Sequence, residues 1–249
     1  MLKEERHKVI INEVELHNRV LLSDIAEQIG VSVDTIRRDV KELDSEKQLK
    51  KVHGGAIALG FTNYATENKN IYALEDKIKI AKKALTLISS GNTILIHGGT
   101  TCLELAKLIP NKLEITCFTT SLVVALELLN KKGVDVFFIG GRLSKDSQIS
   151  IGTNTIHLLS EINVDFSFIG TGYVDVDYGL TEFDFDSVQV KKAVIKCSKK
   201  TVLLSISEKL NSKHRYKTCD INVINTMITE LDPDHLLLEN FRKKDIRLI

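Results

Sequence analysis

The sequence predicts an α/β chain in two parts. A small winged helix-turn-helix domain is expected over residues 1–57, a linker over 58–74, and a larger α/β domain with a mostly parallel sheet over 75–249. Three observations carry this expectation. The first fifty-odd residues are helical in period and are punctuated by a glycine turn. From Leu74 onward, short apolar runs alternate with helical stretches, which argues for a parallel sheet covered by helices. Between these regions, Ala56–Ala73 is polar, with Asn63, Asn68 and Asn70, and has no clean period.

The elements follow in order. Lys3–Leu16 carries Val9, Ile10, Val14 and Leu16 at roughly helical spacing. Ser23 is the expected N-cap of a second helix that runs to Ile29 and stops at Gly30. Ser32 caps a third helix, to about Leu43, with Asp34 in the first turn where the dipole favours it. Leu49–Val52 is a short strand, and His53-Gly54-Gly55 a turn. In the second part, helices are expected over Asp76–Ile88, Thr101–Ile109, Ser121–Leu129, Thr153–Leu159, Val188–Cys197 and Asp234–Phe241. Strands are expected over Thr93–Ile96, Ile115–Phe118, Val134–Ile139, Val164–Ile169, Thr201–Ser205, Val223–Met227 and Ile246–Ile249.

Composition narrows the function classes. With 43% hydrophobic residues in a chain of 249, wholesale disorder is excluded. The formal charge is +1, from 34 Lys+Arg against 33 Asp+Glu, so any nucleic-acid contact must be local. The apolar runs are too short to span a bilayer, and charged Met1–Lys8 has no apolar stretch behind it that could serve as a signal peptide. A cytoplasmic protein without a membrane partner is expected. Cys102, Cys117, Cys197 and Cys219 are scattered, with no C-x-x-C pair, so buried free thiols are expected, and neither a metal nor a cofactor.

On a helical wheel the third helix puts Val33, Ile36, Val40 and Leu43 on one side. Arg38 points away from them, flanked by Thr35 and Glu42 on one side and by Asp34 and Lys41 on the other; Arg37 lies nearer the boundary. An arginine can offer paired donors to guanine, and lysine or threonine can reach phosphates. The Ser32 cap leaves backbone N–H groups that can hold a phosphate. Such a face is also that of any solvated helix, and Met1–Ile57 holds ten Lys+Arg against eleven Asp+Glu.

Four expected strand ends carry small polar residues: His97-Gly98-Gly99-Thr100-Thr101, Thr119-Thr120-Ser121, Gly140-Gly141-Arg142 and Gly170-Thr171-Gly172. Ligands of open α/β sheets bind at the carboxyl ends of strands. Glycine admits backbone N–H groups to an anion, and hydroxyls add donors. Four such ends together suit a sugar phosphate, although each alone is also an ordinary strand-to-helix turn.

Residues Leu22-Ser23-Asp24-Ile25-Ala26-Glu27-Gln28-Ile29-Gly30-Val31-Ser32-Val33-Asp34-Thr35-Ile36-Arg37-Arg38-Asp39-Val40-Lys41-Glu42-Leu43 resemble the helix-turn-helix signature of the DeoR family of bacterial transcription regulators. Leu49-Lys50-Lys51-Val52-His53-Gly54-Gly55-Ala56 is similar to that family's wing and its H-G-G-A ending. The resemblance implies that Ser32, Asp34, Thr35, Arg37, Arg38 and Lys41 face double-stranded operator DNA, with Lys50, Lys51 and His53 on the wing. It also implies a C-terminal sensor resembling ribose-phosphate isomerase in fold, with a phosphorylated sugar or related metabolite as effector, and a homodimer or homotetramer.

The family's loops appear as Gly99-Thr100-Thr101, Thr119-Thr120-Ser121 and Gly140-Gly141, and its late lysine as Lys209. Two acids of the pattern are replaced, one by His97 and one by Ile206. His97 can pair with a more anionic ligand or be a satisfied histidine at a strand end; the second is the simpler reading. The expected effector set is His97, Gly98, Gly99, Thr100, Thr101, Thr119, Thr120, Ser121, Gly140, Gly141, Arg142, Gly170, Gly172 and Lys209. The function expected is a non-enzymatic repressor of a carbohydrate-utilisation operon. The alternatives are a sugar-phosphate isomerase-like enzyme using Glu182, Asp184 or Asp186, which read equally as a solvated acidic loop, and a module whose N-terminal helices contact protein.

Overall fold

The computed structural model describes residues 1–59 and 71–249. The chain divides into two compact units, Met1–Tyr72 and Ala73–Ile249. The first unit runs α1 (Lys3–His17), β1 (Arg19–Leu21), α2 (Leu22–Ile29), α3 (Val33–Ser45), β2 (Lys50–Val52) and β3 (Gly55–Ile57). Gly30 ends α2 in the left-handed region at φ +74°, its N–H donating to the carbonyls of Ala26 and Glu27. Ser32 caps α3, its Oγ accepting from the Thr35 N–H at 3.2 Å. Ile36, Val40 and Leu43 are fully buried against Ile10, Val14, Ile25 and Ala26.

Four expectations for this unit are corrected. Ser23 is not a cap: β1 runs straight into α2, which starts at Leu22, and the Leu22 N–H donates to the Gly54 carbonyl at 3.0 Å. That bond satisfies a helix-terminal donor without a side chain. Val33, the first residue of α3, is 38% exposed, and Asp39 takes an inward place instead. The turn is His53-Gly54 only, because Gly55 opens β3. The polar segment does not begin at Ala56: Ala56, Ile57 and Ala58 are buried in this core. The rest of the expected linker lies largely at 60–70, outside the described residues.

Strand β3 is the centre of an antiparallel sheet of order β1-β3-β2, and β2–β3 form the wing. A Cβ at Gly55 would stand 2.2 Å from the Val20 carbonyl oxygen, so no larger residue fits where β3 crosses β1.

The second unit runs α4 (Leu74–Leu85), β4 (Thr93–Ile96), α5 (Thr100–Leu108), β5 (Ile115–Thr119), α6 (Leu122–Leu128), β6 (Val134–Phe138), β7 (Arg142–Leu143), β8 (Ser150–Ile151), α7 (Thr153–Ser160) and β9 (Val164–Ile169). It continues through β10 (Tyr173–Asp175), β11 (Gly179–Glu182), α8 (Phe185–Lys196), β12 (Ser198–Leu204), β13 (Tyr216–Cys219), β14 (Thr226–Ile228), α9 (Glu239–Arg242) and β15 (Arg247–Leu248). Seven strands form one parallel sheet of order β15-β14-β12-β9-β4-β5-β6. Its inner strands are buried runs such as Ile94-Leu95-Ile96 and Val202-Leu203-Leu204, as expected of strands covered on both faces.

Short elements escape the periodic reading. Strands β10, β11 and β13 form a second, antiparallel sheet, and β7–β8 a hairpin; none exceeds four residues. The acidic loop expected over Thr181–Asp186 is instead the end of β11 followed by the cap of α8, where Asp184 Oδ2 accepts from the Ser187 N–H at 2.8 Å. Helix α8 therefore begins at Phe185 rather than Val188. The helix expected over Asp234–Phe241 is a 3-10 turn, Leu236–Leu238, leading into α9. The four cysteines are free thiols, and Cys102, Cys117 and Cys197 are buried. Among the described residues no helix is long and apolar enough to cross a membrane.

The Gly55→Ala variant is expected to lose about 1–3 kcal/mol, because the added methyl meets backbone that cannot yield without opening the wing. Thermal unfolding of the full chain followed by circular dichroism reads this loss; an unchanged transition would refute the close approach.

Candidate functional site

Helix α3 holds its outward face by an inward charge. Asp39, 4% exposed, receives Arg6 Nε at 2.8 Å and Nη2 at 3.1 Å, and His7 Nε2 lies 3.3 Å away. Burial pushes the Asp39 carboxyl up, and Arg6 and His7 together bring it below the ordinary carboxylate range. This fixes α1 against α3 and sets the rotation of α3. Arg37, Arg38, Lys41, Lys50, Lys51 and His53 are all exposed. Arg37 pairs with Asp34 on the same face, and Ser32 Oγ lies 2.9 Å from Thr35 Oγ1. The Lys51 N–H donates to Asp44 Oδ1 at 3.0 Å, tying the wing to the end of α3. The unit thus presents a row of cations beside a helix N-terminus, a surface suited to phosphates and base edges.

In the second unit, the carboxyl ends of β9, β4, β5 and β6 are neighbours because those strands are adjacent in the sheet. The His97 N–H donates to the Phe168 carbonyl at 2.9 Å, and Gly99, at φ +124°, turns the chain into α5. The Thr119-Thr120-Ser121 loop is wholly buried and its hydroxyls are engaged. Thr119 Oγ1 donates to the Ile96 carbonyl at 2.6 Å and accepts from the Ser121 N–H at 3.0 Å, while Ser121 Oγ caps α6. Gly140 accepts from Thr155 Oγ1 at 3.0 Å, and Arg142 is exposed and paired with Asp186. Ile206 is buried just before a 3-10 turn, Ser207–Lys209, that carries Lys209 inward.

The polar centre of this edge is a group of ions, with Lys191 and Lys209 buried and Glu182 half-buried. Lys209 Nζ donates to the Thr171 carbonyl at 3.0 Å, and burial lowers its ammonium to about 8 against the opposing pull of Glu182. Glu182 Oε1 accepts from Lys191 Nζ, from Thr171 Oγ1 at 3.1 Å and from the Gly172 N–H at 3.1 Å. Cys102, in the first turn of α5, lies within the fields of Lys191 and Lys209; burial raises its thiol to about 12, so it stays neutral. His97 is 2% exposed, and burial, helped by Lys191, lowers it to about 3.

The Gly98 N–H points at His97 Nδ1 and Thr120 Oγ1 lies 3.5 Å from the same nitrogen; with Nδ1 accepting, the neutral ring carries its proton on Nε2. That Nε2 is buried with no hydrogen-bond partner among the described residues. His97 is therefore neither a cation facing a ligand nor a histidine with both nitrogens satisfied.

Glu182 and Lys191 were not expected together in this place. A signal existed for Lys191: it falls within the buried Val188, Val190 and Val194 positions of α8, where a lysine is out of pattern. Glu182 is singled out in the sequence only as one of three acids for the enzyme alternative, because β11 is too short to show by alternation that this residue turns inward.

Comparisons with known proteins show the family of the chain. Residues 73–231 match the DeoR C terminal sensor domain, and residues 6–60 the DeoR-like helix-turn-helix domain. The chain belongs to the DeoR family. An uncharacterized HTH-type transcriptional regulator of Haemophilus influenzae is 30% identical over 92% of this chain and 90% of its own length. The HTH-type transcriptional repressor GlcR of Bacillus subtilis is 28% identical, with 100% and 96% covered. The glycerol-3-phosphate regulon repressor of Escherichia coli is 29% identical, with 100% and 99% covered. A solved ribose 5-phosphate isomerase A from Methanocaldococcus jannaschii aligns with a TM-score of 0.40 at 20% identity, over 54% of this chain and 53% of that one. As a DeoR-family chain, the protein is a DNA-binding transcriptional regulator.

Two outcomes follow from the buried charges. Asp39→Asn takes from Arg6 and His7 the carboxylate that both contact and is expected to lower the midpoint of urea unfolding. For His97 the folded value of about 3 lies below the unfolded 6.5, so the unfolded state binds the extra proton. The His97 contribution to stability is whole above pH 6.5 and falls as pH drops toward 3. The His97→Gln variant is expected to lose less stability than the wild type between pH 7 and 4; parallel curves would refute the burial of a neutral ring.

Proposed function

We propose that this DeoR-family regulator represses a carbohydrate-utilisation operon and that a phosphorylated sugar or related metabolite relieves the repression. The observation that carries the reading is the pairing of an outward cationic face on α3 with a buried excess of donors at the sheet edge. Arg38 reads base edges; Arg37 and Lys41 contribute beside it. The backbone N–H groups behind the Ser32 cap, with Lys50, Lys51 and His53 of the wing, hold phosphates. The effector binds at the strand ends, anchored at Gly98–Thr101 and by Lys209. The relative named for the glycerol-3-phosphate regulon supports a phosphate-bearing effector. One helix-turn-helix covers only a few base pairs, so the working form is a homodimer or homotetramer on half-sites one helical turn apart. The effector releases DNA because it binds the DNA-free arrangement more tightly, and linkage makes this reciprocal.

Electrophoretic mobility shift on the promoter upstream of the gene, titrated with phosphorylated sugars, tests the reading; binding weakened by at least one of them is expected. The Arg38→Ala variant should raise the Kd about 10-fold or more and relax preference at one base position. Lys50→Ala should weaken binding to all sequences alike and reduce the salt slope by about 1. No sequence preference at any salt concentration would overturn the proposal.

A further inference from the structure

Glu182 is held through one atom. Its Oε1 accepts from Lys191 Nζ, from Thr171 Oγ1 at 3.1 Å and from the Gly172 N–H at 3.1 Å. A cation, a hydroxyl and a backbone amide thus converge on a single oxyanion oxygen. Two of these donors belong to the turn after β9, one of the four neighbouring strand ends, and Lys209 Nζ reaches the same turn by donating to the Thr171 carbonyl at 3.0 Å. The place is shaped for close approach: a Cβ at Gly172 would stand 3.0 Å from Glu182 Oε2.

The carboxylate does not balance the charge around it. Lys191 and Lys209 each find one acceptor among the described residues, and Glu182 is the carboxylate whose charge acts on both. Two ammonium groups against one carboxylate leave a net charge of about +1. A phosphate monoester carries about −1.5 to −2 at neutral pH. Added beside Glu182, it would set two anions against one set of donors. Put in place of Glu182, it matches the two ammonium groups. Glu182 is also the member that leaves most easily. Its side chain keeps 15% of its surface exposed against 8% for Lys191, and water receives a displaced carboxylate without penalty.

We propose that Lys191 Nζ, Thr171 Oγ1 and the Gly172 N–H receive an oxygen of the effector's phosphate, and that Glu182 occupies this receptacle as an internal stand-in which the phosphate displaces. The inference rests on the reading of this edge as the effector site, and it requires one phosphate only. Effector affinity is then set by the difference between a phosphate and a carboxylate on the same three donors.

The test is calorimetric titration of the full chain with inorganic phosphate, glucose 6-phosphate and glycerol 3-phosphate, comparing the wild type with Glu182→Gln and Glu182→Asp. Glutamine keeps the size and an acceptor oxygen and loses the charge. Aspartate keeps the charge and is one methylene too short to fill the receptacle from the same backbone. Both variants are expected to bind at least one of the three probes about 10-fold or more tighter than the wild type, because a charge-assisted competitor is gone. Adding Lys191→Met to Glu182→Gln should abolish the gain. A repulsion acting at a distance would be relieved by glutamine and kept by aspartate. Glu182→Gln binding no tighter than the wild type, or Glu182→Asp binding like the wild type, would overturn the inference and leave the repressor reading standing. If Glu182→Gln fails to fold, the Glu182→Asp ratio decides. No binding of any probe to the wild type or to either variant would overturn the inference together with the effector reading of this edge.

Discussion

All seven strands of the large sheet run in one direction, and the placement of the strand-end loops of the second unit depends on that constraint. Parallel strands deliver their carboxyl ends to one edge, where each chain must turn away and leave its last backbone groups to be satisfied locally. Thr119 does this with its hydroxyl, bridging to Ile96 and to the next turn of its own chain. Gly99 does it by adopting a conformation open to glycine. The small residues at this edge therefore answer a structural need before any ligand is considered, and a Gly-Thr-Thr or Thr-Thr-Ser loop alone is weak evidence of binding.

The distinction between structure and site lies in the charge balance. In the first unit Asp39 is buried, yet both of its oxygens are taken up by Arg6 and His7, and the group is closed. Its role is to hold α3 at one rotation, so that Arg38 and Lys41 project outward. In the second unit the Glu182 group is left open, with Lys209 carrying unused protons and His97 an unused one. A fold pays desolvation to bury such groups, and an acceptor that reaches them, ordered water or ligand, offsets the cost.

Much of this was legible in the sequence. Val164–Ile169 is a strand with the bounds the apolar run suggested, and the Gly30 stop and Ser32 cap mark the helix-turn-helix by local chemistry alone. What escaped were elements too short to have a period: β1, the β7–β8 hairpin and the β10-β11-β13 sheet. Ser23 misled because a strand entering a helix can supply from across the sheet what a cap supplies from a side chain. The strand-end loops were found, but not their divided roles. Arg142 looked equivalent to Lys209 by residue type; one is paired with Asp186 in solvent and the other is buried on a carbonyl. Lys191 was hidden by its helix, since a lysine in an amphipathic stretch reads as solvated until its neighbours are seen to be buried.

Glu182 also bears on how an effector could change anything. A ligand shifts an equilibrium only by its difference in affinity for the two states, and couplings of about 1–3 kcal/mol are common. An oxyanion that merely filled a rigid pocket would bind both states alike. An anion that reached Lys191 would compete with Glu182, and Glu182 also holds Thr171 Oγ1 and the Gly172 N–H. The contest therefore reaches three elements at once: α8 through Lys191, β11 through Glu182, and the turn after β9 through Thr171 and Gly172. One shared carboxylate thereby links those three elements without calling on the backbone ladder of the parallel sheet.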